Sequence, residues 1–227
     1  DDLLWLLDTA MAADGLILSA PIYFLAPSAA IKLVLDRLLM LAGRLQQALP
    51  LPRPALTIAT AGLYERRGVA LPYLNALAFA LGYRPIDSLL AIAPGPGEVL
   101  LDEALMRQVL LGGRRVGRGE LEPAPTPTNV CPTCRGDAFV LDGSHAVCPI
   151  CGQQAEISLV QGGIHLVFGR VGADDHHWDP EALHRHIVDW VVASGPRFLA
   201  RREEIKARRA PFREVDVEWV CPPRHRI

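Results

Sequence analysis

The chain has 227 residues, half of them apolar and 21% charged, with a formal net charge of -2 and a mean hydropathy of +0.20. This is an ordinary globular composition, long enough for one large domain or a medium domain with a small companion. It gives no electrostatic reason for a nucleic-acid or membrane partner, and the longest apolar runs, such as Gly15 to Ala20 and Leu89 to Ala93, are far too short to span a bilayer.

The N-terminus, Asp1-Asp2-Leu3-Leu4-Trp5, has no basic n-region, so no secretory signal is expected. Leu3, Leu4, Leu7, Ala10 and Met11 form a helical stripe that Asp14-Gly15 stops. Leu16 to Ala20 reads as a short strand buried on both faces and ended by Pro21. A loop over Pro21 to Pro27 leads to Ser28, an N-cap for an amphipathic helix with Ile31, Val34, Leu35, Leu38, Leu39 and Ala42 on one face. After a turn over Pro50 to Pro54, Ala55 to Thr60 is the next buried strand. Residues 69–82 read as a helix closed by Gly82. Ile86 to Ala93 is a third strand, and a helix is expected from about Glu98 to Leu111. Helices alternating with short apolar strands predict an α/β fold with a parallel sheet covered by helices.

Glu122 to Thr128 is a proline-rich linker. Beyond it come a compact cysteine unit over residues 130–157 and a strand-like segment over 157–171. A helix starts at Asp179-Pro180 and is expected to break at Gly195-Pro196, and a charged helix covers about Arg197 to Arg209. The expected division is therefore 1–113, a linker over 114–129, the cysteine unit over 130–157, and a strand and helical C-terminal region over 158–227.

Four of the five cysteines form two Cys-x-x-Cys pairs, Cys131/Cys134 and Cys148/Cys151, with 13 residues between the pairs. Each pair turns two thiolates toward one ion, and two pairs complete a tetrahedral four-sulfur site, the closed geometry of structural zinc. Ala138 to Leu141, Asp142-Gly143 and His145 to Val147 read as the hairpin of a zinc ribbon with an Asp-Gly turn. The alternative ion is iron, since the knuckles also resemble those of rubredoxin. Such cysteine use points to a reducing compartment, hence a cytoplasmic protein.

The segment Ala13 to Phe24, followed by Ser28, Lys32-Leu33 and Asp36-Arg37, resembles the flavodoxin-like NAD(P)H-dependent FMN reductases and iron–sulfur flavoproteins. Thr60-Ala61-Gly62 and Ala93 to Glu98 fall where that family also has loops. The resemblance covers 1–113 and implies a flavodoxin-like domain whose first strands, with the family's phosphate loop, precede the residue matching Asp1. It implies FMN as cofactor, bordered by Ala20, Pro21, Ile22, Tyr23, Phe24, Thr60, Ala61 and Gly62. It further implies NAD(P)H as cosubstrate, an electron acceptor that the sequence does not name, and a homo-oligomer. No side chain is singled out as a catalytic acid or base. Two other readings stand beside the oxidoreductase. One is a non-catalytic zinc-ribbon docking protein with a degenerate flavodoxin-like half, and the other an iron electron-transfer flavoprotein.

The remaining constellations read as solvated surface. His176-His177 with Asp174-Asp175 offers a weaker metal set, and His184 and His186 do not share a helix face. The run Arg197, Arg201, Arg202, Lys206, Arg208, Arg209 and Arg213 is interleaved with Glu203 and Glu204. Cys221 is expected to be structural or incidental.

Overall fold

The computed structural model describes residues 2–38, 52–169 and 176–213. Leu39, Ala42, Asp174, Asp175 and Cys221 lie outside the described residues, as do Pro50 and Leu51 of the turn expected over Pro50 to Pro54, whose Arg53 and Pro54 instead open a strand paired in parallel with Tyr83 and Arg84.

The first half is an α/β unit. Its strands are β1 (Leu16–Tyr23), β2 (Ala26–Pro27), β3 (Arg53–Ala61) and β4 (Tyr83–Ile92), in the spatial order β2-β1-β3-β4. β1, β3 and β4 run parallel, and β2 folds back antiparallel onto the end of β1. Helices α1 (Leu3–Ala12), α2 (Ala29–Leu38) and α3 (Ala70–Ala80) bury one face around Leu3, Leu7, Leu38, Leu77 and Tyr83. Helix α4 (Glu103–Gly117) covers the other face through Leu105 and Val116, which pack on Leu56, Ile86 and Leu89. This is the expected flavodoxin-like α/β arrangement.

Local sequence differs from expectation at several points. β1 is buried on one face only. Leu16, Leu18, Ala20 and Ile22 turn inward, while Ile17 is 53% exposed. The face carrying Ile17 is only grazed by α4, where Gly113 passes over its Cδ1. Pro21 does not end β1. Among the described residues no strand pairs with the outer side of Leu16 to Pro21, and proline is tolerated on such an edge. The helix expected from Glu98 splits into a 3-10 turn, Glu98–Leu101, and α4, because Asp102 caps α4 by accepting from the Leu105 amide at 2.9 Å.

Beyond the linker, β5 (Val140–Asp142), β6 (His145–Val147), β7 (Gln154–Val160) and β8 (Gly163–Phe168) form one antiparallel sheet in chain order. The single strand-like run read over 157–171 is in fact the end of β7 and all of β8, joined at Gln161-Gly162, both with positive φ. Likewise Asp142 pairs with His145, so the β5–β6 turn is Gly143-Ser144 instead of Asp-Gly.

The C-terminal helices are α5 (Pro180–Arg185), a π-helical stretch (His186–Val192), α6 (Ala193–Ala200) and α7 (Arg202–Arg213). Asp179 caps α5 as expected, its Oδ1 accepting from the Glu181 and Ala182 amides. Gly195-Pro196 does not break the chain out of helix: Pro196 lies inside α6, which continues the π-helical stretch without a gap, against the usual cost of an interior proline. No helix among the described residues is long and apolar enough to cross a membrane.

Candidate functional site

Two sites emerge, a cleft at the carboxyl ends of β1 and β3 and the cysteine cluster. Ligands of doubly wound sheets lie beyond the carboxyl ends of the strands. There, Ile22, Phe24, Leu25, Ala61, Gly62 and Arg66 line a cleft of about 330 Å³.

The segment after Pro21, read from sequence as a loop, is a two-residue hairpin. Ile22 pairs with Pro27 and Tyr23 with Ala26, leaving Phe24-Leu25 as the turn. Their φ values are +48° and +67°. A two-residue turn with both central residues left-handed is the type I′ geometry, normally built from Asn-Gly. Two bulky apolar residues in that geometry are strained, by about 1–2 kcal/mol each. The structure around them holds them there. The Val69 amide donates to the Leu25 carbonyl at 2.9 Å, and the Ser28 amide to the Pro21 carbonyl at 3.0 Å. Gly68, itself at φ +51°, packs so closely that a Cβ there would lie 1.9 Å from the Leu25 oxygen. The result is a Phe24 side chain fully exposed to solvent at the cleft mouth.

The residues picked out by the resemblance divide in this geometry. Ile22, Phe24, Ala61 and Gly62 line the cleft together. Ala20 is buried in the core against Ala59, Ala70 and Leu74. Pro21 and Thr60 pair in register across β1 and β3 and do not line the cleft. Tyr23 is exposed and does not line the cleft. Leu25 and Arg66 are additions. Leu25 carries no turn signature in sequence, and Arg66 sits in a short 3-10 turn, Tyr64–Arg66, that only the fold brings to the cleft. Arg66 is the one charged residue among the described residues lining it.

The four cysteines converge. All are fully buried, and their sulfurs lie within 4.8 Å of one another. Cys131 and Cys151 are 3.4 Å apart, and Cys134 and Cys148 3.3 Å. Four sulfurs about 2.3 Å from one ion would be spaced by about 3.8 Å, so the set fits a tetrahedral metal. Without a cation, four adjacent thiolates cannot all be charged. Contacts with its neighbours, Cys131 foremost, hold the Cys148 thiol below its ordinary range. Cys134 is pushed up, Cys131 again contributing most.

The two knuckles are built alike. The Arg135 amide donates to the Cys131 carbonyl and the Gly152 amide to that of Cys148, both at 2.9 Å. The Cys131 amide donates to Gly136 and the Cys148 amide to Gln153. The residue after each second cysteine is left-handed, Arg135 at φ +61° and Gly152 at +78°. Gly152 follows the usual rule. Arg135 breaks it, and its buried guanidinium reaches out of the ribbon to the Ala124, Pro125 and Ile86 carbonyls.

The unit is anchored to the α/β core by a buried amide. Asn75 of α3 donates to the Cys134 carbonyl, and its Oδ1 accepts from Thr57 at 2.7 Å and Ser88 at 3.1 Å. On the other side His176, His177 and Trp178 close over the second knuckle. The His177 amide donates to the Cys151 carbonyl at 2.8 Å, Trp178 Nε1 donates to the Ile150 carbonyl at 2.7 Å, and the Trp178 ring stacks on Phe79. The histidine pair thus belongs to the seal, and among the described residues the four cysteines are the one group of three or more His, Cys, Asp or Glu placed to hold a metal.

Comparison with known proteins accords with this picture. The family described as NADPH-dependent FMN reductase matches residues 1–95. A solved structure titled flavone reductase superposes with a TM-score of 0.75 at 20% identity, covering 98% of this chain and 84% of that one. Two others align over shorter stretches. The Trp repressor binding protein from Bacillus subtilis has a TM-score of 0.40 at 21% identity, over 51% of this chain and 70% of that chain. An apo NADH:FMN oxidoreductase has a TM-score of 0.35 at 21% identity, over 59% and 64%. No curated protein matches. Residues 1–95 are thus similar to the NADPH-dependent FMN reductases, on a flavodoxin-like α/β fold joined to a four-cysteine unit.

Proposed function

We propose that the protein is a flavin-dependent NAD(P)H oxidoreductase, with FMN in the cleft at the ends of β1 and β3 and zinc in the cysteine cluster. The observation that carries the flavin reading is that cleft, in the stretch that matches the FMN reductases. Bound FMN would supply the redox chemistry, taking a hydride from NAD(P)H and passing reducing equivalents to an acceptor.

The chain's own residues would bind, orient and exclude water. Ile22, Phe24 and Leu25 offer an apolar wall for the flat ring. Ala61 and Gly62 are small enough for a ligand to approach the backbone. No side chain is required as a proton donor. Arg66 would favour an anionic group at the cleft. Ala20, Pro21, Tyr23 and Thr60 would support the cleft without lining it.

Zinc suits four buried thiolates, and a closed four-thiolate ion has no open position for chemistry, so its part would be structural. The division into 1–113, 114–129, 130–157 and 158–227 belongs to the same proposal, as does a homo-oligomer covering exposed apolar side chains such as Trp5 and Leu101. The test is titration of FMN into the zinc-loaded protein, wild type and Phe24→Ala. Tight uptake by the wild type, weakened about tenfold in the variant, supports the assignment, and equal uptake by both removes Phe24 from the cleft.

A further inference from the structure

The loop that brings Arg66 to the cleft is tied to the cysteine unit. Asp137 follows Cys134 by three residues, just beyond Gly136, whose carbonyl accepts from the Cys131 amide at 2.7 Å inside the first knuckle. Its Oδ2 accepts from Arg67 Nε at 3.0 Å, and Arg67 Nη2 lies 2.9 Å from the same oxygen, a charge-assisted contact. The same guanidinium lies over the Tyr64 ring, 4.3 Å from its centroid, and Nη1 returns to the Tyr64 carbonyl at 3.4 Å. Arg67 therefore clamps the turn that carries Arg66.

The link continues to the opposite wall. Gly68 packs on the Leu25 carbonyl, and the next amide, Val69, donates to it. An unbroken series of contacts runs from the first cysteine knuckle through Asp137 and Arg67 to Arg66 on one side of the cleft and the strained Phe24-Leu25 turn on the other.

We infer that Asp137 and Arg67 are positioning residues through which the four-cysteine unit sets the shape of the cleft between β1 and β3. The cysteine unit is then a brace for the ligand site as well as a separate folded piece. The consequence for ligand binding rests on the flavin reading, whereas the consequence for the loop itself does not.

The test is hydrogen exchange on the full-length zinc-loaded chain, read over residues 62–68, with FMN affinity and zinc content measured on the same samples. In Asp137→Asn the 62–68 amides should exchange on the order of fivefold faster and FMN affinity should fall by a similar factor, with zinc content unchanged. Arg67→Ala breaks the link from the side away from the knuckle and should do the same. The charge-reversed pair Arg67→Asp with Asp137→Arg should restore much of the protection. Exchange unchanged in both single variants, or no recovery in the reversed pair, overturns the inference. If the wild type takes up no FMN while 62–68 protection still depends on Asp137, the flavin reading fails and the brace stands. If FMN binds and protection ignores Asp137, the reverse holds.

Discussion

Asn75 is wholly buried, and both ends of its amide are committed, one to the Cys134 carbonyl and the other to the Thr57 and Ser88 hydroxyls. Its replacement by alanine strands the Cys134 carbonyl and one hydroxyl proton, since Thr57 and Ser88 lie 2.9 Å apart and can pair with each other only once, and each such group costs about 1–3 kcal/mol when left unpaired in a dry interior. Asn75→Ala should therefore lower stability to urea by about 3 kcal/mol, and a loss under 1 kcal/mol would show that water substitutes there. Tyr83 makes a different prediction. Its hydroxyl donates to the carbonyls of Ala10 and Ala13 at the end of α1, and burial pushes its pKa above the ordinary 10.0. The neutral phenol is favoured in the folded state, so its contribution is complete below about pH 10. It is lost as pH rises through the raised value. Tyr83→Phe should cost about 1–2 kcal/mol at neutral pH and reduce the alkaline fall in stability. Chemical denaturation at pH 8 and pH 11 checks both.

At the scale of elements, the Phe24-Leu25 turn and Gly68 form one device. Gly68→Ala places a Cβ on the Leu25 carbonyl at a left-handed position, so it should destabilise by about 3 kcal/mol. Replacing Phe24-Leu25 by Asn-Gly relieves the strain and should raise stability by about 1–2 kcal/mol while weakening FMN binding. A variant that is both more stable and binds FMN fully would contradict the role given to Phe24. This turn also shows where sequence reading stopped. Strands β1, β3 and β4 and helices α1 to α3 were legible from their apolar runs and stripes, although β1, which reads as buried on both faces, buries only one. The hairpin was not, because Phe-Leu has no turn chemistry and only tertiary contacts hold its backbone. The Asp102 cap is hidden in sequence because Glu98 begins a plausible helix four residues earlier, and Gly195-Pro196 reads as a break because an interior proline ordinarily ends a helix, whereas here the helical run carries on through it.

For the whole molecule, the cysteine spacing foretold the convergence of the four thiols, since two Cys-x-x-Cys pairs bring their own local geometry. How the unit attaches was invisible, because Asn75, Arg135, Asp137 and Trp178 are scattered over some hundred residues and carry no motif. The cleft was legible only through resemblance, and only four of its six lining residues were named. Metal removal should act on the cysteine unit as a whole. The four thiols sit in one core with Phe79, whose ring stacks on Trp178, so a chelator should expose Trp178 and loosen residues 130–178 while the parallel sheet persists. Tryptophan emission moving to the red as zinc is withdrawn, with little change in far-ultraviolet helix signal, is the expected result.

The most direct test of the central claim is the absorbance spectrum and zinc content of the purified protein after titration with FMN. A yellow complex with one flavin and one zinc per chain, bleached by NADH or NADPH, is expected. A zinc-loaded protein that leaves the spectrum and fluorescence of added FMN unchanged would contradict the claim.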